Sequence, residues 1–151
     1  WVPGAFTIIR REAVDSNQLC DERFFLYYEE VDLCKRVTHA GYEIWYLPSI
    51  RVVHLGGESS KTVVTEQFSK AGSQLTLWRM RSELLYYRKH HGAFTTWLCA
   101  HLEMMWNQLR LLRRRYKKDG GQPHEFLSNI QLMKRAWVDT KGGSSSPQRP
   151  W

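Results

Sequence analysis

Apolar side chains come in short runs broken by Gly and Pro in the first part of the chain; beyond it they recur at helical spacing with few turn signals until Gly120. Residues 5–9 read as a strand. Val31, Cys34 and Val37 then recur at helical spacing and Gly41 follows as a stop signal, which predicts a short helix with Glu29, Glu30 and Asp32 in its first turn. Residues 43–47 alternate polar and apolar as a strand does, Pro48 interrupts, and residues 51–55 read as a second strand on which Val52 and His54 share a face. Three longer helices follow, near residues 66–91, 94–118 and 125–138. In the middle one Leu98, Leu102, Met105, Leu109 and Leu112 are spaced alternately by four and three, a narrow stripe suited to another helix or to a membrane surface, and Trp97 and Trp106 widen it. Residues 141–151 are rich in Gly, Ser and Pro and are expected to be disordered.

The chemistry concentrates between Asp21 and Gly57. At a helix start, unpaired backbone N–H groups and the helix dipole favour an ionised carboxylate, the state a general base needs near neutral pH. Acidic residues there also serve as plain caps, so Glu29, Glu30 and Asp32 have two readings. His54, at a strand end and followed by Gly56 and Gly57, is placed either to ligate a metal beside a phosphate or to stand as a satisfied structural histidine. Phe24, Phe25, Tyr27 and Tyr28 divide between packing the helix and walling a sugar pocket. His90 and His91 are adjacent on a helix and so point to different faces, which argues against a shared metal and for an interaction with the helix C-terminal dipole.

The runs GAFTIIRREA, CDERFFLYYEEVDLCKRVTHAGY and IWYLPSIRVVHLGGESS, in that order, resemble the C-terminal part of a family 2 glycosyltransferase of the rhamnosyltransferase-like branch. The likeness covers residues 1–61, more loosely extending through LLYYRKHHG. It implies an α/β fold, the C-terminal part of a GT-A domain, with the acceptor-side half in residues 1–62, a helical extension in 63–140 and the tail in 141–151. The implied reaction is transfer of a sugar such as rhamnose, with inversion, from a nucleotide-sugar donor to a glycan or lipid-linked acceptor in cell-surface polysaccharide synthesis. By position, Glu30 stands where the family has the aspartate that deprotonates the acceptor hydroxyl, Glu29 matches the preceding glutamate and Asp32 the acidic residue that anchors the turn. His54 matches a histidine of the metal shell, implying Mg²⁺ or Mn²⁺. Gly56, Gly57, Ser59 and Ser60 resemble the loop near the donor diphosphate, and Trp1, Tyr27 and Tyr28 fall where acceptor contacts are made. The family's Asp-x-Asp is absent from this chain. The resemblance therefore implies a fragment, itself expected to be inactive, of a longer enzyme.

Charge adds one element. Lys and Arg number 22 against 15 Asp and Glu, and a cluster of six basic residues, Arg110, Arg113, Arg114, Arg115, Lys117 and Lys118, supplies most of the net charge of +7. Three uses fit the cluster: an anionic membrane surface, a solvated helix end complementing its own dipole, or nucleic acid, for which no recognised motif is present. Cys20, Cys34 and Cys99 form no zinc or disulfide framework, which with the lack of an apolar run long enough to span a bilayer places the chain in the cytoplasm, peripheral at the inner face of the membrane. A reading of a different class is a non-catalytic helical module for membrane or protein binding.

Overall fold

The computed structural model describes residues 1–14, 19–54, 71–117 and 124–148. After a single 3-10 turn at Arg11–Ala13 come three helices: α1, Glu29–His39; α2, Ala71–Lys117; and α3, His124–Asp139. Gly92 interrupts α2 with φ 82 and ψ 177, a conformation open to residues without a Cβ. The interruption is a reversal. In an unbroken helix Arg79 and Glu103 would lie about 36 Å apart, yet their charged groups are 3.9 Å apart. Residues 71–91 and 93–117 are thus antiparallel arms of a hairpin, broken where the sequence pattern placed the boundary between two helices.

Helix α3 closes the hairpin. Leu77, Met80 and Leu84 of the first arm, Ala100 of the second and Leu132, Met133 and Ala136 of α3 form one buried cluster, with Met104 and Trp137 packed against it. The start of α3 lies beside the end of α2, where the Arg114 guanidinium sits 4.6 Å from the Phe126 ring centre; its end pairs Asp139 with Arg81. A second, smaller core joins Leu33 and Val37 of α1 to Ala13, Ile9, Val14, Tyr42 and Ile44. The two cores meet across polar and aromatic contacts: Ser82 donates to the Leu26 carbonyl at 2.7 Å and Phe25 packs on Trp78 at 4.4 Å.

The expectation of an α/β GT-A fold is corrected here. Among the described residues there is no strand and no sheet. Residues 5–9, 43–47 and 51–54 are non-helical but unpaired, and Leu55 lies outside the described residues. Alternation of polar and apolar side chains describes one face of a strand, whereas a strand exists only through a hydrogen-bonded neighbour. None of these segments has one among the described residues, and much of their apolar surface is exposed: Ile8 is 83% exposed and Val53 88%.

Residues 141–148, expected to be disordered, make defined contacts. Gly142 and Gly143 take positive φ (65° and 81°), the Gly143 N–H donates to Thr140 Oγ1, and Ser146 Oγ donates to the Arg23 carbonyl. A Cβ at Gly143 would overlap the Leu84 carbonyl, so this turn is seated directly on the first arm of α2. Gly143→Ala is expected to cost about 2–4 kcal/mol, from positive φ and backbone overlap together. Urea unfolding measures it, and an unchanged midpoint would detach the turn from the helix.

Candidate functional site

Two non-glycine residues in the left-handed region, Tyr27 (φ 66) and Tyr28 (φ 69), precede α1. Such backbone is sparsely populated and is held only where its surroundings over-determine it. Here the surroundings are aromatic: the Tyr28 ring lies 5.4 Å from Tyr86, while Phe24 is buried beside the hairpin. Tyr28 occupies the N-cap position without a side-chain capping bond, so the first turn of α1 is not closed by its cap.

Glu29 and Glu30 occupy that turn. In each, one carboxylate oxygen, Oε2, is shielded from solvent and has no hydrogen-bond partner. Burial pushes the Glu29 carboxyl up from its ordinary value, its own backbone N–H opposes, and the neighbouring Glu30 adds to the rise. A buried acceptor without a donor is costly, and its natural complement is an incoming hydroxyl.

Asp32, in the same first turn, is fully buried. Lys89 Nζ donates to its Oδ1 at 2.6 Å, His90 Nε2 lies 2.7 Å from the same oxygen, and Arg36 Nε donates to Oδ2 at 2.9 Å. Lys89 also reaches Asp21 at 2.8 Å, and Arg23 holds both oxygens of Asp21. Burial alone would raise both carboxyls, but these hydrogen bonds outweigh it and hold Asp21 and Asp32 below the usual range. For His90 burial wins over its bond to Asp32, and its pKa is lowered. The network clamps α1 to the tip of the hairpin and so fixes the direction of Glu29 and Glu30.

A shallow groove runs along α1, lined by Val31, Cys34, Lys35 and Thr38 with Trp1, Ile44 and Tyr86. The backbone of Gly4 lies against Glu30, so the N-terminal residues border both the groove and the carboxylates.

Over part of its length, the chain is similar to bacterial rhamnosyltransferases. It is 24% identical over 86 residues to rhamnosyltransferase WbbL of Escherichia coli (strain K12), which covers 57% of this chain and 30% of that protein. It is 41% identical over 54 residues to N-acetylglucosaminyl-diphospho-decaprenol L-rhamnosyltransferase of Mycobacterium tuberculosis, in each of two strains, covering 36% of this chain and 18% of that protein. The chain thus spans less than a third of the length of these relatives. No family model and no solved structure matches.

Within this glycosyltransferase-like chain the structure brings Glu29, Glu30, Asp32 and Tyr28 together on and before α1. Trp1 is 73% exposed at the groove, and Tyr27 lies on the surface beside the strained turn. His54 is exposed; Gly56, Gly57, Ser59 and Ser60 lie outside the described residues. The described residues hold no group of three His, Cys, Asp or Glu that could bind a metal ion. Arg113 is exposed and Arg114 meets Phe126; the side chains of Arg115 and Lys117, and all of Lys118, lie outside the described part.

Sequence reasoning passed over three residues. Lys89 and His90 complete the clamp from the hairpin, where the expected role of His90 had been an interaction with a helix dipole. Glu83 is pushed up to about 7 by burial and by Glu103, against the opposing charge of Arg79. Its charge in turn adds to the rise of the buried Tyr28 phenol. A periodicity argument had a usable signal for Glu83, since it stands beside the apolar positions Met80 and Leu84.

Proposed function

We propose that this chain is the acceptor-side part of a glycosyltransferase that moves a sugar, rhamnose by analogy with its relatives, from a nucleotide-sugar donor to a lipid-linked or glycan acceptor. The observation that carries the reading is the pair of solvent-shielded, unpartnered carboxylate oxygens at the open first turn of α1, in a chain similar to rhamnosyltransferases. Glu30 takes the proton of the acceptor hydroxyl as that oxygen attacks the sugar carbon and the nucleoside diphosphate departs. Glu29, with its raised pKa, orients the same hydroxyl and limits the charge gathered in the turn. Asp32 acts through Lys89, His90 and Arg36 to hold the helix still, since a displacement of about 1 Å at a reacting group can cost about a hundredfold in rate. Trp1 and Tyr27, exposed beside this turn, supply apolar faces on which a sugar ring stacks.

The test is a transfer assay on the native gene product, with nucleotide-activated rhamnose and a polyprenyl-diphosphate-linked amino sugar. Acceptor-dependent release of the nucleoside diphosphate is expected. Absence of transfer with rhamnose and with other activated sugars would end the transferase reading.

A further inference from the structure

The second arm of α2 buries one face and leaves an apolar one outside. One face, with Thr96, Ala100 and Asn107 buried along it, is turned into the bundle. At 100° per residue, Phe94, Leu98, Leu102, Met105, Leu109 and Leu112 fall on the opposite side within about 80° of arc, a stripe about 27 Å long. All six are exposed, from 37% at Leu98 to 72% at Phe94. Trp106 and Trp97 flank the stripe on either side and are themselves about half exposed. Among the described residues the bundle is packed on the other face, and contiguous exposed apolar surface of this kind marks an interaction site.

The charges beside it say what it meets. The only acidic residue between Phe94 and Arg114 is Glu103, which projects toward the first arm and lies 3.9 Å from Arg79. The stripe ends beside Arg110 and Arg113, while Arg114 turns to the Phe126 ring of α3; the Arg110 guanidinium lies 5.4 Å from the ring centre of Trp106, at the stripe's rim, and 5.6 Å from that of Phe126. No helix of the described residues is long and apolar enough to cross a membrane. We propose that the second arm of α2 docks flat on an anionic lipid surface, with the leucine stripe in the acyl boundary, the tryptophans at head-group depth and the arginines against lipid phosphate. A second copy of the chain fits less well, since it would bring the same arginines and no acidic partner for them. The proposal goes beyond the transferase reading and is measured without sugar transfer.

Co-sedimentation with vesicles of phosphatidylglycerol and phosphatidylcholine in equal parts, beside vesicles of phosphatidylcholine alone, tests it. Binding to the mixed vesicles, weakening as salt is added, is expected. Leu102→Glu combined with Leu109→Glu, two exposed positions, should lower binding by about tenfold or more, with folding checked by circular dichroism. Arg113→Gln, which leaves the apolar stripe intact, should lower it by about fivefold. Failure of the wild-type chain to sediment with mixed vesicles, equal binding to the neutral vesicles, or retained binding in both variants would overturn the proposal. So would a dimer abolished by Leu102→Glu in a chain that ignores lipid.

Discussion

Glu30→Gln in the native gene product should lower sugar transfer by about 10²–10⁴-fold, the range for loss of a positioned base, while leaving the fold in place. Glutamine keeps the shape and removes the proton acceptor. The substitution also has a readout that does not depend on turnover. The charge of Glu30 helps to raise the Glu29 carboxyl, behind the larger effect of burial. With Glu30 neutral, the Glu29 pKa should move back toward its ordinary value, which a carboxyl-carbon NMR titration follows. Wild-type turnover in Glu30→Gln beside a collapse in Glu29→Gln would transfer the role of base to Glu29. Wild-type turnover in both would remove the helix start from the chemistry.

Asp32→Asn should destabilise the chain by about 3 kcal/mol, because removing one member of a buried ion cluster leaves its partners facing each other without compensation. Asp32 is fully buried and receives Lys89, His90 and Arg36, and Arg36 keeps a second bond to the Leu19 carbonyl while Lys89 keeps Asp21. Those remaining partners put the expected cost at the lower end of the range. Asp32 and Asp21 both titrate below their ordinary values when folded. In the acid range the unfolded chain therefore binds more protons, and stability rises with pH. Their contribution is complete above about pH 5, where unfolded aspartates are ionised, and is lost as pH falls through the folded values. Urea midpoints at a series of pH values measure this. The wild-type chain should lose stability steeply below about pH 4, and Asp32→Asn should show a lower plateau and a shallower fall. A variant within about 1 kcal/mol of wild type would mean that the cluster behaves as a surface pair.

The two outcomes separate chemistry from scaffolding. Glu29 and Glu30 present oxygens without partners, and Asp32 presents none, although all three lie in one helical turn of sequence. Position in the sequence ranked them together; the hairpin distinguishes them, since Lys89 and His90 approach only the face of α1 that carries Asp32. The strained pair Tyr27 and Tyr28 was likewise invisible, because propensity argues against φ above zero at two successive aromatic residues, and the packing of the Tyr28 ring on Tyr86 is a tertiary contact.

Local spacing by itself determined the helices of this protein: the helical pattern located α1, both arms of α2 and α3, and Gly41 marked the end of α1, whereas the reversal at Gly92 is seen only in the structure. Helix hydrogen bonds close within four residues, so the information for them is local. Strand pairing, the partner of each buried charge and the choice of which apolar face stays outside are not local. Residues 43–47 alternate as a strand would but find no neighbour among the described residues, and the stripe from Phe94 to Leu112 stays exposed although the buried face of the same arm carries Thr96 and Asn107. Those outcomes depend on what the remainder of the chain brings within reach, and there the tertiary structure decided.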